Sequence, residues 1–103
     1  MDTQKLVMIG KISKDLTVLG ITIKLSTPAM GLISTEADAM TNLAQFVEQI
    51  DDKVYSAPET KLEVVRLLRQ LQPGVVAKIA EVCNKMTEEQ NHAIEGMFSD
   101  PKS

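Results

Sequence analysis

The stretch Ser13-Lys14-Asp15-Leu16-Thr17-Val18-Leu19-Gly20-Ile21-Thr22-Ile23-Lys24 decides the fold, because it offers the chain two places to reverse. A two-residue loop at Lys14-Asp15 would set Ser13 against Leu16, Ile12 against Thr17, Lys11 against Val18 and Gly10 against Leu19. An apolar residue then faces a polar or small one at every rung. A loop at Leu19-Gly20 opposes Val18 with Ile21, Thr17 with Thr22, Leu16 with Ile23 and Asp15 with Lys24. Matched cross-strand pairs are worth about 0.2–1 kcal/mol each, so four in one register select the second reversal. Side chains alternate across a strand, which puts Leu16, Val18, Ile21 and Ile23 on one surface and the threonines and the Asp15/Lys24 pair on the other. Gly20 supplies the positive φ of a tight turn; Leu19 is a poor turn residue, and a loop one residue longer also fits.

Working backward, Leu6, Met8 and Ile12 continue the apolar alternation, with Lys14 as its exception and Gly10 as a candidate bulge. The hairpin is therefore expected over residues 6–27, ended by Pro28, which cannot donate to a ladder. Its apolar face needs cover from helices, another subunit or a client, since an isolated hairpin is marginal in water.

The remainder reads as helices over residues 34–99. Ser34 or Thr35 can cap a first helix in which Met40, Leu43, Ala44, Val47 and Ile50 recur at helical spacing. Asp51-Asp52 leaves it as a loop. Ser56-Ala57-Pro58-Glu59 has capping-box spacing and opens a second helix to about Leu71, with Leu62, Val65, Leu68 and Leu71 as its core stripe and Val64 and Leu67 widening it. Pro73 starts a third, with Val75, Val76, Ile79, Val82, Cys83 and Met86 apolar. Thr87-Glu88-Glu89-Gln90 reads as the cap of a short last helix burying Ala93, Ile94, Met97 and Phe98. Asp100-Pro101-Lys102-Ser103 reads as a frayed tail. The expected fold class is α+β: one domain over residues 1–103, an N-terminal β-hairpin followed by a small bundle of about four helices.

Charge is unevenly spread. Residues 1–33 carry four lysines against two aspartates, whereas residues 34–103 carry seven basic and twelve acidic side chains. That sign gives no broad attraction for phosphate backbones, and three aromatics in 103 residues leave little to stack on bases, so nucleic acid is not an expected partner. The longest uncharged run, Leu25 to Thr35, contains Pro and Gly and falls short of the roughly 20 apolar residues that span a bilayer. With one cysteine and no visible leader, the expectation is a cytoplasmic protein.

No catalytic constellation is expected. Cys83 and His92 are alone of their types; Cys83 lies on an apolar stripe, where a thiol is inert packing, and His92 on a polar face. One cysteine and one histidine fall short of a structural zinc site, and neither Asp51-Asp52 nor Glu88-Glu89 has the spacing of a calcium loop. No metal and no cofactor are expected. Arg66 and Arg69 read as a solvated face paired with Glu63. Met30, Met40, Met86 and Met97 could fill core gaps or line a contact, as flexible thioethers do.

The segment GKISKDLTVLGITIKLSTP, with its Thr27-Pro28 junction and the later Phe46-Val47-Glu48-Gln49-Ile50-Asp51-Asp52, resembles small phage tail and baseplate assembly proteins, including tail assembly chaperones. The resemblance implies a non-enzymatic role: keeping a tape-measure, hub or other tail component soluble in the host cytoplasm, or occupying a small position in the finished virion. It carries over no functional residue. The expected partner is thus a protein, self-association being compatible, and the residues expected to meet it are Leu16, Val18, Ile21 and Ile23 on the hairpin with Met97 and Phe98 near the end of the chain. The alternative is a small acidic inhibitor or adaptor docking on a host enzyme through Glu88, Glu89 and Glu95.

Overall fold

A computed structural model of the chain describes residues 3–98. The fold is α+β, with a four-stranded antiparallel sheet and four α-helices. Elements run α1 (Thr3–Met8), β1 (Ser13–Val18), β2 (Ile21–Ser26), a 3-10 turn (Met30–Leu32), α2 (Ala39–Ala44), β3 (Val47–Ile50), β4 (Lys53–Val54), α3 (Pro58–Gln70) and α4 (Pro73–Met97). Strand order is β1-β2-β3-β4, so β1 and β4 are the sheet edges.

The first hairpin turns at Leu19-Gly20, pairing Val18 with Ile21, Thr17 with Thr22, Leu16 with Ile23 and Asp15 with Lys24, as the sequence dictates. Both loop residues take positive φ, 49° and 80°, the geometry whose twist matches the flanking strands. At the other end the hairpin closes with Thr27 N–H donating to the Ile12 carbonyl at 2.9 Å. Lys11, opposite Pro28, would fall at a non-hydrogen-bonded rung, and its N–H is taken by the Met8 carbonyl at 3.2 Å.

Residues 3–8 are a helix and not the strand extension expected from Leu6 and Met8. Gly10, at φ 80°, is the turn that joins it to β1.

The second correction concerns residues 45–54. Helix α2 is short, capped by Asp38, whose carboxylate accepts from Thr41 N–H at 2.8 Å. Val47 and Ile50 belong to β3, where they oppose Leu25 and Ile23. A bulge lets three positions of β3 match two of β2, which is why a strand shows helix-like apolar spacing here. Asp51 and Asp52 form the β3–β4 turn. Asp51, at φ 48°, accepts from Thr22 N–H through Oδ1 at 3.0 Å and returns its own N–H to Thr22 O at 2.8 Å.

Helix α3 follows expectation in extent and in most of its face. Its buried residues are Val64, Val65 and Leu68, while Leu62 is exposed. No side chain caps it; Thr60 donates its hydroxyl to the Ala57 carbonyl. Glu63 pairs with Lys53 at 3.0 Å, not with an arginine, and Arg69 pairs with Asp38 at 2.7 Å.

The third correction is α4, which runs unbroken for 25 residues, about 37 Å. Thr87 does not start a new helix, because its hydroxyl bonds back to the Cys83 carbonyl at 3.1 Å inside the helix. The core joins Ile23, Leu25, Val47, Leu43 and Ala44 to Val64, Val65 and Leu68 of α3 and to Ile79, Cys83 and Met86 of α4. The tail at residues 100–103 lies outside the described residues.

Candidate functional site

Two places in the fold combine exposure with a specific arrangement. The first is the hairpin. Its base is interior: Ile23 is buried and Leu16 packs against the core. Its tip is not, with Val18 and Ile21 exposed at 43% and 44% and Leu19 between them at 97%. The four residues expected to meet a partner therefore divide into an inner pair that anchors the hairpin and an outer pair that frames an exposed leucine.

Val18 and Ile21 flank a two-residue loop and so exchange both hydrogen bonds, which directs the N–H and C=O of Thr17, Asp15 and Ser13 to the opposite side. Among the described residues no strand occupies that side.

Met97 and Phe98, expected to be buried by a short last helix, are exposed at 56% and 71%, and Ala93 is exposed as well. Met97 instead shares a shallow groove of about 410 Å³ with Met8, Ile9 and Ala93. These residues lie at the far end of the molecule's long helix from its buried stretch Ile79–Met86. Of the other methionines, Met86 is fully buried, Met40 packs on the core and Met30 is exposed.

The second place is a cleft of about 580 Å³. Its polar wall carries Ser26, Glu48, Lys11, Lys61 and Gln90; its apolar rim includes Val7, Met30, Leu32 and Ile94. The Ser26 hydroxyl donates to Glu48 Oε2 at 2.6 Å, which commits its proton, so Ser13 Oγ, 2.8 Å away, is the donor to Ser26. That bond, together with the charges of Lys11, Lys24 and Lys61, holds the Glu48 carboxyl below its ordinary value against the opposing effect of burial. Lys61 Nζ donates to the carbonyls of Gln45, at 3.4 Å, and Val47. Desolvation pushes the Lys61 ammonium below its ordinary value, partly offset by Glu48. The sequence reading missed Lys61, yet a signal existed: 61, 64, 65 and 68 are one helical face, so a lysine heads the stripe that α3 buries.

The remaining chemical residues do not assemble. Cys83 is buried and its thiol is pushed up to about 12 by desolvation, far from a reactive thiolate. His92 is exposed on the same helix, nine residues on, an axial rise of about 14 Å. Among the described residues no three His, Cys, Asp or Glu side chains could hold a metal ion together, and no helix is long and apolar enough to cross a membrane. Comparisons with protein-family models, with curated proteins and with solved structures found no match.

Proposed function

We propose that the chain is a non-catalytic protein-binding factor that holds an extended segment of a client against the outer edge of β1. The carrying observation is the hairpin: an edge strand with outward backbone groups at Ser13, Asp15 and Thr17 leads to a tip where Leu19 is 97% exposed. Strand addition takes its affinity from main-chain hydrogen bonds and its specificity from side chains beside the edge, and the tip supplies an apolar anchor for the latter. The resemblance of residues 10–28 to small tail and baseplate assembly proteins supports a client of that kind, a tape-measure, hub or other tail component met in the host cytoplasm. The exposed Met97 and Phe98 offer a second apolar contact.

The test is co-expression with the products of the adjacent genes, followed by size-exclusion chromatography with light scattering. Thr17→Pro removes an outward N–H while leaving the β1–β2 ladder intact, and Leu19→Asp removes the anchor. Both should abolish the complex and preserve the helical circular dichroism of the free protein. A complex that survives both substitutions overturns this reading, and one that instead dissolves with salt and with loss of Glu88 and Glu95 favours the inhibitor.

A further inference from the structure

Independently of the docking edge, the geometry points to Lys61 as an amine nucleophile that captures small aldehydes or ketones with apolar tails in the cleft it lines. Three observations converge. The side chain is half-buried and reaches a cleft of about 580 Å³, a volume typical of small-molecule sites. Two backbone carbonyls, of Gln45 and Val47, each accept one Nζ–H. A free amine has two N–H bonds and one lone pair, so satisfying both hydrogens leaves the lone pair for a carbonyl carbon arriving from the cleft. Finally, Val7, Met30, Leu32 and Ile94 give that visitor an apolar wall.

The charged groups lining the cleft with Lys61 are Lys11 and Glu48, which are 3.9 Å apart and offset one another. Once Lys61 is neutral the wall has no net charge, which favours an uncharged carbonyl compound over an anionic one. Desolvation raises the fraction of free amine at a given pH above that of a solvated lysine.

The step balances without any oxidant. Lys61 gives a proton to solvent; its lone pair forms the C–N bond as the carbonyl π pair moves to oxygen, and the second proton that the nitrogen then sheds passes to that oxygen. The carbinolamine then loses water to give the imine, so one amine and one aldehyde yield one imine and one water. Added cyanoborohydride delivers hydride to the imine carbon and fixes the adduct.

The experiment treats the folded full-length chain with substoichiometric hexanal and cyanoborohydride near pH 7.5, then maps adducts by peptide mass spectrometry. Lys61 should carry several-fold more adduct than the exposed Lys24 or Lys53. The preference should vanish in denaturant. Met30→Ser, at an exposed rim position, should cut hexanal labelling of Lys61 several-fold and leave formaldehyde methylation of Lys61 unchanged. Even labelling across the lysines, or protection of Lys61, would overturn the proposal and leave Lys61 as a cap on the Gln45 and Val47 carbonyls. Hexanal labelling indifferent to Met30→Ser would also overturn it, since the cleft would then play no part.

Discussion

Lys14 on β1 and Glu89 on α4 meet at 2.7 Å across 75 residues of sequence, the ion pair that ties the edge strand to the long helix. Lys14 is the one charged residue on the face that also carries Leu16, and the contact gives it a reason to be there: the face is covered by α4, and an acidic residue of that helix lies within reach. Both side chains remain over 40% exposed, so the pair competes with water and salt. A double-mutant cycle with Lys14→Ala and Glu89→Ala should give a coupling of about 0.2–1 kcal/mol that shrinks toward zero in molar salt. A coupling indistinguishable from zero at low salt would mean that the ion pair does not hold β1 to α4.

That pair also marks how far the sequence could be read. The hairpin was legible because four matched rungs admit one register, and the starts of α3 and α4 were legible because Pro58 and Pro73 suit a first helical turn. Val47 and Ile50 misled because the bulge in β3 gives a strand the three-residue spacing of a helix. Leu6 and Met8 misled because alternation over so few residues does not separate strand from helix, and Gly10, which reads as a bulge, is instead the turn at φ 80° that ends α1. Thr87 misled because a Thr-Glu-Glu-Gln string serves equally as a cap or as mid-helix, where its hydroxyl bonds back to Cys83 O. At the sites, the hairpin residues could be named in advance but not divided into core and tip, since that division depends on where α4 ends its cover.

Leu19 bears two costs at once: a left-handed backbone at φ 49° and an apolar side chain almost wholly in water. Asparagine tolerates that conformation and is the usual residue before glycine in such a turn. Leu19→Asn should therefore stabilise the free protein by about 1 kcal/mol, raising Tm by about 4–8 °C for a domain of this size. The same substitution should weaken client binding. A thermal melt beside the binding assay checks both, and a variant that melts lower would show that the leucine is supported by contacts within its own chain.

The two left-handed glycines of the N-terminal part differ in what surrounds them. A Cβ at Gly20 would meet open space, whereas one at Gly10 would lie 2.8 Å from Cδ1 and Cγ1 of Ile94 on α4. Gly20→Ala carries only the backbone penalty, about 1 kcal/mol. Gly10→Ala adds a steric conflict that moves the α1–β1 turn off α4, for a total of about 2–4 kcal/mol. Shortening the neighbour with Ile94→Ala should return part of the Gly10→Ala loss but none of the Gly20→Ala loss, a contrast readable in urea denaturation midpoints.

Glu48 gives the fold a defined acid limb. Its folded carboxyl is held below the ordinary 4.5, first by the Ser26 hydroxyl and then by the charges of Lys11, Lys24 and Lys61. A depressed carboxyl contributes stability that is fully present above the unfolded value and is lost as pH falls through the folded one. Between those two values the unfolded chain binds the proton first, so stability must fall with acidification across that window. Glu48→Gln keeps an acceptor for Ser26 but removes the titration, so the variant should be less stable than the native chain at neutral pH, with the difference closing as the pH drops below 4.5. Ser26→Ala removes the largest single cause of the shift and should move the acid limb to higher pH. Urea midpoints measured from neutral to strongly acidic pH decide the matter: a gap between native chain and Glu48→Gln that stays constant across the range would mean that the Ser26–Glu48 contact does not depend on charge.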